Sequence, residues 1–153
     1  MNDTAEREKG LDFLKKRSVG TLATLADAGG PRARTVHYVV NDSFEIFFLT
    51  LSGTRKVEDI NHDHRAAFVV SDVEAPQTLQ LEGVLVEQPD TLLADSGLKG
   101  LLDVLMKNGA RFAPLTHLDA GKVLFYKITP TWIRWGDYTD GAGSERVFTE
   151  ISA

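Results

Sequence analysis

The sequence predicts a mainly β domain, with six antiparallel strands closing into a small barrel and α-helices at its flanks. Strand-like runs follow one another through short polar turns, the pattern of a meander and not of βαβ units. Helical periodicity is confined to a few segments. An open sheet of this size would leave unpaired edges, and closure removes them.

Each element has a local cause. Near the N-terminus, Asp3 and Glu6 have capping-box spacing and Leu11 shares a face with Leu14, which predicts a helix. "SVGTLATL" (residues 18–25) reads as a strand, and "ADAGG" (26–30) has hairpin-turn chemistry. In the next strand, "RARTVHYVV" (32–40), Arg32, Arg34, Val36, Tyr38 and Val40 share one face; Ala33, Thr35, His37 and Val39 share the other. "NDS" (41–43) turns into "FEIFFLT" (44–50). "RAAFVVSD" (65–72) and "QTLQLEGVLVEQ" (77–88) are further strands, with Gly83 marking a bulge or a close approach. Leu98, Leu101, Leu102, Leu105 and Met106 form the stripe of an amphipathic helix ending near Gly109, read as core or dimer contact. "KVLFYKITPTWIRWGDY" (122–138) reads as two strands meeting at Thr129-Pro130, and the tail as a loop with one edge strand. No repeat or linker interrupts residues 1–153, which are expected to form a single domain.

The bulk numbers bound the function. At 153 residues, 42% hydrophobic and 25% charged, the chain can bury an ordinary core. A net charge of −5 argues against a nucleic-acid binder, which needs a basic stripe to displace counterions. It does not exclude a small anionic ligand. The sequence has no cysteine, which removes disulfides and thiolate chemistry. No run approaches the roughly 18 apolar residues of a membrane span, and "MNDTAEREKGLDFLKKRS" lacks the apolar region of a signal peptide. A cytoplasmic protein is expected.

The chemistry concentrates in "FFLTLSGTRKVEDINHD" (47–63). Ser52 or Thr54 can cap a short helix whose apolar face includes Val57 and Ile60. The first amides of such a helix lack internal partners and carry the positive end of its dipole. Arg55 and Lys56 in that first turn are unfavourable for the bare helix, unless an anion such as a phosphate sits there. Gly53 lets backbone approach a ligand. The plainer alternative is that both cations lie on a solvated face, paired with Glu58 or Asp59.

Taken in order, "TLATLADAGGPRARTVHYVV", "FFLTLSGTRKVEDI", "LQLEGVLVE" and "ITPTWIRWGDY" resemble the pyridoxamine 5′-phosphate oxidase-like flavoproteins, the FMN-binding split barrels, and in particular their short general-stress-protein branch. The resemblance covers residues 13–138. It implies a six-stranded split β-barrel and a homodimer with FMN sites at the subunit interface. Arg34, Thr35 and Val36 match positions near the ribityl chain and isoalloxazine, and Leu49 and Thr50 match positions along the flavin. Ser52, Arg55 and Lys56 match the phosphate-binding hydroxyl and cations. Thr78 or Gln80 stands where the oxidases carry a polar group, usually glutamine, to the ring. Trp132, Arg134 and Trp135 match a region approaching the flavin from the partner chain, with Arg134 and Trp135 nearer the ligand. The resemblance also implies that the founding enzymes bind the vitamin phosphate through a C-terminal extension; this chain ends soon after "RWGDYTDGAGSERVF", so a different small-molecule substrate is expected.

The expectation is therefore an FMN-dependent oxidoreductase in which the cofactor carries the electrons and no catalytic side chain can be named. Two alternatives stay open: a non-catalytic flavin-binding or stress-related module, and the same fold holding a deazaflavin coenzyme or haem. His37 reads as a structural histidine or a ligand contact. His62, Asp63 and His64 do not make a metal site, because i and i+2 diverge on a helix and no third ligand is evident. His117 carries no signal. No G-x-S-x-G elbow or carboxylate dyad appears.

Overall fold

The structure is a computed structural model that describes residues 3–89, 122–140 and 147–153. The leucine-striped helix expected over residues 98–106 and His117 lie outside the described residues. Among these there are two helices and eight strands, in the order α1 (Asp3–Lys15), β1 (Val19–Leu25), β2 (Pro31–His37), β3 (Val39–Val40), β4 (Ile46–Leu51), α2 (Arg55–His62), β5 (Arg65–Asp72), β6 (Gln77–Gln88), β7 (Val123–Asp137) and β8 (Phe148–Ile151).

All described pairings are antiparallel, and the sheet runs β2-β1-β5-β6-β7-β4-β3, with β8 added on β7. Strands β2 and β3 are one run of chain broken only at Tyr38, so the path ends where it begins. The six-stave split barrel expected from sequence is thus present, with its second stave divided and an edge strand added. At Tyr38 the chain passes from one neighbour to the other: its amide still donates to Ser18 O at 2.9 Å in the β1–β2 register, its buried hydroxyl donates to Leu14 O at 2.8 Å, and the next residue, Val39, pairs with Phe47 of β4.

The interior follows from alternation. Leu22, Val36, Phe48, Phe68, Leu81, Tyr126 and Ile133 are buried inside, while their strand neighbours lie on the other face, where Phe47 and Phe125 are buried too and stack on each other. Helix α1 covers the end where β1 begins, its Phe13 ring tilted against Trp135 at 5.0 Å between centroids. Helix α2 lies at the end where β1 finishes, burying Val57, Asp59 and Ile60.

One boundary differs from expectation. Residues 123–137 form a single strand and do not divide at Thr129-Pro130. A proline lacks the ladder donor, and the strand tolerates it because the register shifts there: Glu82 faces Trp132 and Gly83 faces Pro130, leaving Thr131 as the extra residue of a bulge. Gly83 is needed opposite it, since a Cβ would lie 2.3 Å from Thr129 O.

Candidate functional site

At the α2 end of the barrel, two arginines close on one buried carboxylate. Arg32 and Arg34 project from the same face of β2, and both reach Asp59 on α2: Arg32 Nη1 donates to Oδ1 at 2.8 Å and Arg34 Nη2 to Oδ2 at 3.0 Å. Asp59 is 2% exposed. Thr24, at the end of β1, donates to Asp59 Oδ2 at 3.0 Å and accepts a bond from Arg34 Nη1. Burial works against the Asp59 charge, but the bonds from Thr24 and Arg34 and the two guanidinium charges outweigh it, holding the carboxyl below its ordinary value.

Lys56 stands beside this network without a carboxylate of its own among the described residues. It is half-buried, its Nζ 5.8 Å from the centre of the Phe48 ring. Burial, and then the Arg34 guanidinium, push its pKa from 10.5 down to about 8. Arg55, its neighbour, is exposed. Neither cation of the first turn pairs with Glu58 or Asp59, because Asp59 is already engaged from β2. The solvated-pair alternative therefore fails for Lys56.

The helix start is also incomplete. Thr54 occupies the N-cap position but makes no capping bond, and its hydroxyl oxygen is buried without a partner. Gly53 precedes it at φ +78°, with open space where a Cβ would stand. The Ser52 hydroxyl instead accepts the Lys122 amide at 2.9 Å, and its own amide donates to Lys122 O at 2.8 Å, fastening the end of β4 to the start of β7.

The other sequence candidates separate by strand face. On the outer surface, Thr35, Thr21, Val69, Gln80 and Arg134 are successive cross-strand partners and form one transverse row. Arg134 Nη2 donates to Gln80 Oε1 at 2.7 Å, and its guanidinium lies 5.5 Å from the centre of the Trp132 ring and 4.3 Å from that of Phe148. Thr78 hydrogen-bonds Ser71 at 2.9 Å in the adjoining row. The row on the other side is Ala33, Ala23, Ala67, Glu82 and Trp132. Ala23, Ala67 and Glu82 of this row line a groove of about 490 Å³, bounded also by Leu25, Pro31 and Arg65. Leu49 faces outward on β4, whereas Thr50 is buried on the inward face.

Two expectations are corrected. Trp135 is 1% exposed in the core against Phe13, on the opposite face from Arg134 and Trp132, so its side chain is not placed for an interface ligand. Val36 is likewise a core side chain. His37 is half-buried on the outward face, and His62 Nδ1 lies 3.1 Å from Asp27 Oδ1. Asp59, Thr24 and Arg32 were not singled out by sequence reading. An aspartate on the buried face of a short helix was the available signal for them.

Six antiparallel staves, one of them divided, with a short helix across one end define the class of small split β-barrels. The family model described as pyridoxamine 5′-phosphate oxidase matches residues 7–134, and the chain belongs to that family. No curated protein matches the chain. Among solved structures, a haem-binding protein from Mycobacterium smegmatis superposes with a TM-score of 0.71 at 21% identity; the match covers 96% of this chain but only 57% of that one. A Clostridium acetobutylicum protein related to general stress protein 26 gives 0.68 at 12% identity, covering 98% and 96%. An FAD-binding protein from Mesorhizobium loti gives 0.65 at 18%, covering 82% and 88%. At these identities the likeness is one of fold. Among the described residues, no helix is long and apolar enough to cross a membrane.

Proposed function

We propose that the protein binds FMN, seats its phosphoryl group at the start of α2, and serves as an oxidoreductase of a small molecule. The observation that carries this reading is Lys56, a half-buried lysine with its pKa lowered to about 8, facing a second cation and, among the described residues, no carboxylate. Such a group is unfavourable in isolation and becomes favourable beside an anion. Arg32, Arg34 and Lys56 against Asp59 leave a surplus of positive charge, and the uncapped amides and Thr54 hydroxyl add donors. This donor set fits a phosphomonoester.

In this reading Lys56, Arg34, Arg55 and Ser52 neutralise or hydrogen-bond the phosphoryl group. Thr35, Leu49, Thr78 and Gln80 line the path of the ring system, with Thr50 contributing only backbone, and a second copy of the chain contributes Trp132 and Arg134. The backbone at Val36 and Trp135 belongs to the same strands. FMN, when bound, supplies the electron transfer. The protein's part is to orient the cofactor, balance its charge and shape a pocket over its reactive face.

Anaerobic reconstitution with FMN, reduction by a nicotinamide donor and reoxidation test the proposal. One flavin bound per protomer and cycling between both states supports it. Bound flavin that neither donor nor oxidant touches would make the protein a binding module. Retention of haem or a deazaflavin in place of FMN would overturn the cofactor assignment.

A further inference from the structure

We infer that Asp59 is a positioning residue, holding the Arg32 and Arg34 guanidinium groups so that they converge with Lys56 on one phosphoryl group. The inference rests on the flavin reading above, but concerns a residue outside the set of expected cofactor contacts.

Three cations meet at this end of the barrel, and like charges at this spacing repel. Asp59 is the carboxylate that both arginines grip, and Arg34 is the one that faces Lys56. Its two oxygens divide the work: Oδ1 takes Arg32, and Oδ2 takes Arg34 together with Thr24. Thr24 closes a ring by accepting the other Arg34 amino group. A guanidinium held at both amino nitrogens cannot swing, and its remaining donors keep a set direction. The carboxylate is 2% exposed while Arg32 is 45% exposed, so the anchor is buried and the cations reach outward from it. That is the arrangement of a support, not of a surface ion pair.

The electrostatics make the inference testable by sign. A carboxylate near an anion site repels the ligand, so on charge alone its removal should tighten phosphate binding. If Asp59 instead aims the arginines, its removal should weaken phosphate binding although the site becomes more positive. The experiment compares FMN with riboflavin, which lacks the phosphoryl group, on wild-type protein and on D59N, T24V and K56A, with affinities from flavin fluorescence quenching and folding checked by thermal denaturation.

The expected result for D59N is a loss of about tenfold or more for FMN, with riboflavin changed by less than about threefold. T24V, which cuts the hydroxyl link to both Asp59 and Arg34, should show the same selectivity at smaller size; should D59N not fold, this variant decides. Tighter FMN binding in D59N would make Asp59 a mere competing anion and overturn the inference. Equal losses of FMN and riboflavin would assign it a structural role only and overturn it as well. K56A separates the two levels. If K56A fails to discriminate FMN from riboflavin, the phosphoryl reading itself falls, whatever D59N does.

Discussion

Replacing Lys56 with methionine should stabilise the ligand-free protein while removing its grip on the flavin phosphate. Methionine keeps the unbranched stem over Phe48 and deletes the charge. Burial and Arg34 lower the lysine from 10.5 to about 8, and at about 1.4 kcal/mol per pH unit this sets a ceiling of roughly 3 kcal/mol. The side chain is only half-buried, and solvent screening reduces the expected gain to about 1 kcal/mol, or roughly 2–4 °C in melting temperature. The pH dependence follows from linkage. Between about pH 8 and 10.5 the unfolded lysine holds a proton that the folded one has released, so wild-type stability rises with pH across that window. K56M lacks this rise. Its advantage should be full below pH 8 and gone above 10.5. Urea denaturation of both proteins at neutral pH and near the upper limit measures it. An unchanged or lower stability for K56M at neutral pH would show that Lys56 is not a strained cation, and the case for an awaiting anion would lose its foundation.

Other consequences can be checked alongside. G83A should cost about 1–3 kcal/mol in urea denaturation, because the new methyl group would press on the Thr129 carbonyl 2.3 Å away and the bulge leaves that backbone little room to shift. F13A should cost about 3–5 kcal/mol, since it empties the contact between α1 and Trp135 while leaving the α2 end intact; flavin affinity of the folded fraction should barely change. The Asp59 carboxylate, held below its ordinary 3.8, stabilises the fold above that value and loses the contribution as pH falls through the lower folded value. The stability gap between wild type and D59N should accordingly shrink from neutral pH to about pH 3 in denaturation curves.

Much of this arrangement was legible in the chain. Alternation in "RARTVHYVV" correctly put Arg32, Arg34, Val36 and Tyr38 on one face, and the misplaced cations of "TRKVED" marked the α2 end as a place where helix rules are broken. The adverse charge at a helix start is a local property, so local reasoning could find it. What it could not find depends on register and long-range closure. Asp59 meets Arg34 only because α2 folds back over β1 and β2, 25 residues away along the chain. The row from Thr35 to Arg134 requires five strands to be in register, which no single segment encodes. Sequence alone divides β7 because Pro130 reads as a terminator, and the bulge that accommodates it is a property of the pair β6 and β7. Arg134 and Trp135 cannot both be near an outward-facing ligand, because adjacent strand residues face opposite ways, and the core takes Trp135.

The most direct test of the central claim is the ratio of FMN to riboflavin affinity for the wild-type protein, measured by titration at neutral pH. A phosphoryl group seated among Lys56, Arg34 and the α2 amides should favour FMN by at least about tenfold. Equal affinities, or no binding of either flavin, would contradict the account.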